Sequence, residues 1–387
     1  MPTCSRNIAR YLMGKNAPSG QSYPLKQIYF YLTDSCNLKC RHCWISPKYQ
    51  QGASPATYLP VGLFNSILDQ AIPLGLAGVK LTGGEPLLHP GISEIIEVVR
   101  EKGVGLNVET NGTLLTPGLA KAIAACKSSF VAVSLDGLRD EHEWMRGIKD
   151  CFDGAVNGIK ALVDAGVRCQ VIMTLTRRNY HQMEDVLELA ESLKCGSVKF
   201  NVMQPTARGR GLYDNGEALT IEELVDLGKW VEEELTPRPG PRVFFDHPMA
   251  FRPLGKLFRS DGGGCACCHI LQLIGVLADG SYSVCGIGKH IPELVYGNAS
   301  TDRLDDVWWY SPVIREMREG LPGRIDGVCR DCAMKKLCKG SCIAQNYYTN
   351  NSLWSSYWYC DEARKKQLFP ESRLLNYGKY LVNSFNK

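Results

Sequence analysis

The sequence predicts an α/β protein: a partial (β/α)6 TIM-like barrel followed by a small cysteine-rich, cluster-binding domain. Three observations carry this expectation. Apolar strand patterns alternate with amphipathic helical patterns over about the first 240 residues, three cysteines follow the first strand, and nine more fall between positions 265 and 360. Strict strand–helix alternation implies a parallel sheet, and right-handed crossovers curl such a sheet into a full or partial barrel.

Strands are expected at 27–33, 79–82, 105–109, 130–134, 168–176 and 197–203, each a short apolar or alternating run. Between them Ile92, Ile95, Ile96 and Val99, and again Met183, Val186, Leu187 and Ala190, are spaced i, i+3, i+4, i+7, as one face of a helix requires. Gly103 and Gly166 stand where helix stop signals belong. The run Thr236-Pro237-Arg238-Pro239-Gly240-Pro241 is too rich in proline to be helical, and Gly262-Gly263-Gly264 precedes the later cysteines. The chain is therefore divided into an N-terminal extension (1–26), a barrel (27–235), a bridge (236–261) and a cluster domain (262–387).

With 387 residues the chain is long enough for two cores. Forty-four basic and forty acidic side chains leave a net charge of +4, too slight and too mixed to imply nucleic acid as a partner. No stretch approaches the roughly 18 to 20 continuous apolar residues of a membrane span, and the start lacks a secretory apolar core, so a cytoplasmic protein with no membrane partner is expected. Seventeen cysteines in a long chain without a signal point to metal rather than disulfides.

Cys36, Cys40 and Cys43 are spaced Cys-x3-Cys-x2-Cys in a turn after the first strand. A 4Fe-4S cube normally takes four thiolates, so three leave one iron open. In parallel barrels chemistry gathers at the carboxyl ends of the strands, and this loop falls on that rim. The spacing resembles the cluster loop of radical S-adenosylmethionine (SAM) enzymes, where the unique iron chelates the amino and carboxylate groups of SAM. Gly83-Gly84-Glu85-Pro86 after the second strand is similar to the family's GGEP segment, which holds the methionyl amino group; alone it reads more readily as a plain strand-to-helix turn, and its place after the three-cysteine loop makes it corroboration. The resemblance implies that His42 lies where adenine meets the loop and that Ser134 faces the SAM ribose or carboxylate. Asn111 and Asp136 end the third and fourth strand segments at ligand height. Arg146 is either the partner of the SAM carboxylate or a solvated helix-end charge.

In the second half, Cys329, Cys332, Cys338 and Cys342 are followed by Cys360, and Cys265, Cys267 and Cys268 precede Cys285. In order these resemble the SPASM extension of some radical SAM barrels, which holds two auxiliary clusters. Three 4Fe-4S clusters and SAM are thus the implied cofactors. By resemblance the first auxiliary cluster takes two of Cys265, Cys267 and Cys268, favouring Cys265 and Cys268, with Cys285 and Cys342. The second takes Cys329, Cys332, Cys338 and Cys360. A structural Cys4 zinc centre is the alternative chemistry for paired Cys-x2-Cys elements, but nine linked cysteines downstream of the first loop favour clusters. Cys4, Cys126, Cys151, Cys169 and Cys195 read as buried or incidental. The aromatics Tyr347, Tyr348, Trp354, Tyr357, Trp358 and Tyr359 read as packing, with a peptide-binding surface as the functional alternative.

The resemblance implies reductive cleavage of SAM to methionine and a 5'-deoxyadenosyl radical, which takes a hydrogen atom from a peptide or protein substrate. A crosslink, epimerisation or oxidation would result; metalloenzyme maturation is a further role the family offers. The auxiliary clusters either accept an electron from the oxidised substrate or organise it. Flavodoxin or ferredoxin is the implied electron donor. Only 26 residues precede the first strand, so a separate protein, or the barrel itself, is expected to read any leader peptide. Sulfatase-maturing members carry an aspartate after the cysteine matching Cys285; here Gly286 stands there, which argues against formylglycine formation unless Asp246 or Asp279 serves. Two rivals remain: a radical enzyme acting on a small molecule, and a non-catalytic metal-binding or redox-sensing protein.

Overall fold

The computed structural model describes residues 23–49, 55–257 and 268–375. Cys4, Cys265 and Cys267 therefore lie outside the described residues. The barrel strands are β1 (Gln27–Tyr31), β2 (Gly78–Thr82), β3 (Gly105–Thr110), β4 (Phe130–Ser134), β5 (Arg168–Leu175), β6 (Ser197–Val202) and β7 (Arg242–Phe245). The second half adds β8 (Leu273–Val276), β9 (Ser281–Ser283) and β10 (Val295–Asn298). All ten form one sheet in the order β10-β9-β8-β1-β2-β3-β4-β5-β6-β7. Every neighbouring pair from β8 to β7 is parallel, whereas β8-β9 and β9-β10 are antiparallel.

The six expected strands are all present, within two residues at either end. The helices between them are α1 (Val61–Ala71), α2 (Ile92–Lys102), α3 (Pro117–Ala124), α4 (Arg139–Arg146), α5 (Cys151–Asp164) and α6 (Met183–Ser192). The α2 face buries Ile95, Ile96 and Val99, and α6 buries Met183, Val186, Leu187 and Ala190. These pack on strand side chains such as Val79, Leu106, Val131, Val171 and Val198, all without solvent exposure. Each such side chain contributes about 1.5–3 kcal/mol relative to exposure.

Strand alternation also decides what faces the barrel lumen. On β3, Leu106, Val108 and Thr110 are buried while Asn107 and Glu109 are half-buried on the opposite face. On β6, Val198 and Phe200 are in the core while Lys199 and Asn201 occupy the other face. Period-two placement thus separates an apolar outer layer under the helices from a polar interior.

The expected bridge from 236 to 261 contains a strand, β7, which pairs with β6 from Ser197 opposite Arg242 to Phe200 opposite Phe245. A four-residue edge strand after a proline-rich turn carries little periodic signal, and the exposed β6 edge supplies its hydrogen bonds. On the other flank β8 adds in parallel to β1, from Leu273 opposite Gln27 to Val276 opposite Phe30. Helix α7 (Ile221–Trp230) precedes β7, and after β10 the described chain is helical, with α8 (Leu304–Tyr310), α9 (Pro312–Gly320), α10 (Ile343–Asn350) and α11 (Trp358–Lys365). Tyr359 and Tyr357 are buried, and the Tyr359 ring meets His247 at a tilt and Phe251 edge-on; Tyr357 and Tyr359 pack in the core. Among the described residues no helix is long and apolar enough to cross a membrane.

Candidate active site

The three-cysteine loop follows β1 and is held at both ends. Ser35–Cys36 pairs with Lys48–Tyr49 as a two-stranded parallel ladder. In the middle, the Lys39 N–H donates to the Arg146 carbonyl at 3.0 Å and the Arg41 N–H to the Met145 carbonyl at 2.9 Å. The carboxyl end of α4 therefore clamps the loop, its free carbonyls satisfied by loop amides. Cys36 and Cys40 are buried and Cys43 is half-buried. Cys151 at the start of α5 packs against the same loop with Leu38, so it belongs to the loop's apolar backing.

The diglycine after β2 is explained by that loop. The Gly84 N–H donates to the Thr33 carbonyl and the Glu85 N–H to the Ser35 carbonyl, both at 2.9 Å. Gly83 has φ 128°, and a Cβ there would sit 2.8 Å from the Thr33 oxygen. A Cβ on Gly84 would overlap the Ser35 carbonyl outright. Only glycine allows this approach and this backbone conformation.

These segments enclose a cleft of about 1250 Å³, part of it open to solvent. Cys36, Cys40, His42, Cys43, Gly83, Gly84, Glu85, Asn111, Ser134 and Arg146 line it, so the structure brings these residues together. Asp136 lies behind the wall, fully buried, with Arg146 Nη2 at 2.8 Å and the Thr174 N–H donating to it at 2.9 Å. Burial works against the charged carboxylate, but Arg146, then His42 and His142, outweigh it and hold its pKa below the usual range. Arg146 is buried, so it is not a solvated helix-end charge; its Nη1 donates to Cys40 Sγ at 3.5 Å.

Glu85 is likewise occupied. Its carboxylate accepts from the Leu87 N–H at 3.1 Å, the Thr110 hydroxyl at 2.6 Å and the Asn111 N–H at 2.8 Å, tying the turn after β2 to the end of β3. Burial pushes its pKa up to about 7 against those hydrogen bonds. The Asn111 side chain bridges to Asn37 in the cysteine loop, its Nδ2 donating to Asn37 Oδ1 at 2.8 Å. Burial lowers His42 to about 4, although Asp136 lies 3.7 Å away, so the imidazole is neutral at pH 7.

The donor set suits iron–sulfur ligation. The Leu38 N–H reaches Cys36 Sγ at 3.4 Å and the Met334 N–H reaches Cys332 Sγ at 3.4 Å, the kind of contact that stabilises cluster-bound thiolate. In the second half, Cys329, Cys332, Cys338 and Cys360 lie within electrostatic reach of one another, and Cys268, Cys285 and Cys342 form a second such neighbourhood. Burial pushes Cys268 and Cys329 each up to about 12; as free thiols they keep their protons, and metal binding must displace them. Among the described residues no three His, Cys, Asp or Glu side chains converge on a single-ion site.

Against this geometry, the profile of the radical SAM superfamily matches residues 30–190 and that of SPASM, an iron–sulfur cluster-binding domain, matches residues 259–333. The chain is a radical SAM enzyme with a SPASM domain. Its first domain binds a 4Fe-4S cluster and SAM, and its SPASM domain binds auxiliary iron–sulfur clusters. An AdoMet-dependent heme synthase of Methanosarcina barkeri is 27% identical over 352 residues, 85% of this chain and 94% of that protein. The mycofactocin maturase MftC of Mycobacterium tuberculosis is 28% identical over 323 residues, 82% of this chain and 78% of that protein. The fold is similar to that of Streptococcus suis SuiB bound to S-adenosylmethionine, with a TM-score of 0.67 at 20% identity over 88% of this chain and 77% of SuiB. It is also similar to anSMEcpe with bound AdoMet, with a TM-score of 0.66 at 17% identity over 92% of this chain and all of that one.

Sequence reasoning missed one wall of the radical SAM cleft. Thr174, Lys199, Asn201, Gln204, Arg208 and Glu109 also line it. The available signal was polar residues at alternate positions of β6, Lys199 and Asn201, in a strand otherwise apolar. Of the two candidate aspartates, Asp246 lines this cleft, whereas Asp279 lines a second cavity beside Tyr31, Asp34 and Lys289. The Gly286 departure also has a structural reason. A Cβ at Gly286 would run into the Tyr31 ring, so the β1 tyrosine fills the space a side chain would need beside Cys285.

Proposed function

We propose that this radical SAM enzyme modifies a peptide or protein substrate in the cytoplasm by hydrogen abstraction within the cleft. The observation that carries the reading is the cleft itself, where the three-cysteine loop forms one wall and the polar lumen of the barrel the other. When bound, the cluster and SAM supply a 5'-deoxyadenosyl radical after one-electron reduction. Cys36, Cys40 and Cys43 would hold the cluster, and the Gly83–Gly84 turn, its Gly84 N–H already spent on Thr33, would offer carbonyl oxygens to the methionyl amino group. Arg146, oriented by Asp136, would pair with the SAM carboxylate, Ser134 would face the ribose or carboxylate, and His42 would meet the adenine, while Asn111 fixes the loop through Asn37. Cys268, Cys285 and Cys342, with Cys265 or Cys267, hold one auxiliary cluster. Cys329, Cys332, Cys338 and Cys360 hold the other. Flavodoxin or ferredoxin would deliver electrons, and a separate protein or the barrel itself would read any leader peptide.

Similarity to the maturase MftC and to SuiB, also solved bound to the precursor peptide SuiA, supports a peptide substrate. Similarity to AdoMet-dependent heme synthase over nearly that protein's full length favours a second reading, a tetrapyrrole substrate. The test is anaerobic turnover of the reconstituted enzyme, scored by 5'-deoxyadenosine and by product mass. Candidate peptides from short neighbouring reading frames are compared with iron porphyrin carboxylic acids. A change in peptide mass, or deuterium uptake in D2O for an epimerisation, supports the first reading; turnover of the porphyrin with no peptide present overturns it.

A further inference from the structure

The cleft wall formed by β6 and the loop after it has more polar groups than it uses. Lys199 is half-buried on the lumen face of β6, and its ammonium makes no ion pair among the described residues. The acidic groups sharing the cleft do not neutralise it at contact. Glu109 feels Lys199, but Lys80 holds the Glu109 carboxylate at 2.6 Å, and burial opposing Lys80 and Lys199 still leaves its pKa lowered. Asp246, at the end of β7, lines the cleft without a contact to Lys199. Glu85 is spent on three hydrogen bonds, and Asp136 on Arg146.

Around Lys199 stand further unmatched groups. Asn201 Oδ1, Gln204 Oε1 and Arg208 Nε are all buried with no hydrogen-bond partner. Arg208 Nη2 makes a 3.5 Å contact with the Pro47 carbonyl, and the Arg208 N–H donates to the Cys43 carbonyl at 3.2 Å. A buried polar group without a partner costs about 1–3 kcal/mol. Three on one wall, beside an unpaired ammonium, describe a surface shaped for a ligand. Its chemistry is specific: two cations to receive an anion, and two side-chain amide oxygens that call for N–H or O–H donors.

We propose that Lys199, with Arg208 beside it, anchors a carboxylate of the substrate, and that this contact selects which substrates the cleft accepts. The inference deepens the reading above and rests on substrate entering this cleft. Lys199 is a specificity-determining residue on this account. The carboxylate comes either from a peptide, as an acidic side chain or chain terminus, or from the propionate arms of a tetrapyrrole. The amide oxygens of Asn201 and Gln204 favour the peptide, whose backbone N–H groups match them.

The test uses the anaerobically reconstituted, SAM-loaded enzyme and measures retention of three matched probe pairs in equilibrium dialysis. They are acetylated, amidated hexapeptide pools randomised except for a central Glu or Gln; the Gln pool with a free or amidated C-terminus; and a porphyrin tetracarboxylate or its tetramethyl ester. At least one acid form should be retained about tenfold over its neutral partner, the scale of one charge-assisted contact. Lys199→Gln should bring that ratio near one and Lys199→Arg should restore it. Iron content and the urea midpoint of each variant show that it folds, and SAM affinity is measured beside the dialysis. Equal retention of acid and neutral forms in all three pairs overturns the anchor, as does a preference unchanged in Lys199→Gln. Loss of SAM binding in that variant reassigns Lys199 to the SAM carboxylate and overturns it too. Preference confined to the porphyrin pair upholds the anchor while counting against the peptide reading.

Discussion

Asp136→Asn should destabilise the protein by about 3 kcal/mol, the lower end of what breaking a buried ion pair costs. Asp136 has no exposed surface, and its partner Arg146 is 8% exposed at 2.8 Å. Asparagine keeps the shape and can still accept from the Thr174 N–H, but it leaves the Arg146 guanidinium without a countercharge. The lower end applies because Arg146 lines the cleft, where water reaches one side. The assay is urea denaturation of the reconstituted enzyme for wild type, Asp136→Asn, Arg146→Met and the double variant. A coupling energy of at least about 2 kcal/mol is expected, since the double variant removes both charges. Acid behaviour supplies a second readout. Burial raises the Asp136 pKa, but Arg146 and the neighbouring histidines lower it further, to below its unfolded value of about 3.9. Its stabilisation is therefore complete above about pH 4 and lost as pH falls through the folded value; the variant should lack that acid-dependent loss. A cost under about 1 kcal/mol with no coupling would mean that Arg146 is solvated, and the proposed orientation of Arg146 toward SAM would fail with it.

Replacing Cys36, Cys40 and Cys43 together by alanine should remove about four irons per chain, leave the auxiliary clusters, and abolish 5'-deoxyadenosine formation; residual cleavage would exclude these three as the ligands. Gly84→Ala forces a methyl into the Ser35 carbonyl, so the loop must shift; a loss of about 1–3 kcal/mol and weaker SAM binding by titration are expected, and unchanged affinity would show that the diglycine does not set the cleft. His247 is buried among Phe245, Phe251 and Tyr359, with neither ring nitrogen hydrogen-bonded, and burial, aided by Arg252, lowers it to about 3. Since its unfolded value is about 6.5, stability should fall by about 2 kcal/mol between pH 7 and 5 through this group alone. His247→Phe should lose that much less; equal losses in urea midpoints at the two pH values would refute the assignment.

Much of the barrel was legible in the chain because its signals are local. The period-two runs of β1 to β6 and the helical spacing in α2 and α6 report which face is buried, and burial follows from the sheet's own geometry. β7 and β8 were not legible: each has four residues, and each exists because an edge, of β6 or β1, offers hydrogen bonds to it. Residues of the candidate site carried by motif, Cys36, Cys40, Cys43, Gly83 and Gly84, were found because one loop or turn contains them. Lys199, Asn201 and Arg208 were missed because the cleft they line is closed by segments far away in sequence.

By itself the sequence determined the parallel α/β alternation, the three-cysteine loop on the strand rim and the cysteine-rich second half, since periodicity and ligand spacing are properties of contiguous residues. Tertiary structure alone decided that Arg146 is a buried partner of Asp136 and not a surface charge, that Glu85 is consumed by Thr110 and Asn111, that Tyr31 occupies the space beside Gly286, and that the β6 wall is left with unmatched cations. In each case the deciding quantity is the environment a side chain meets, its burial and the charges within a few ångströms, and that environment is assembled from segments the chain brings together only on folding.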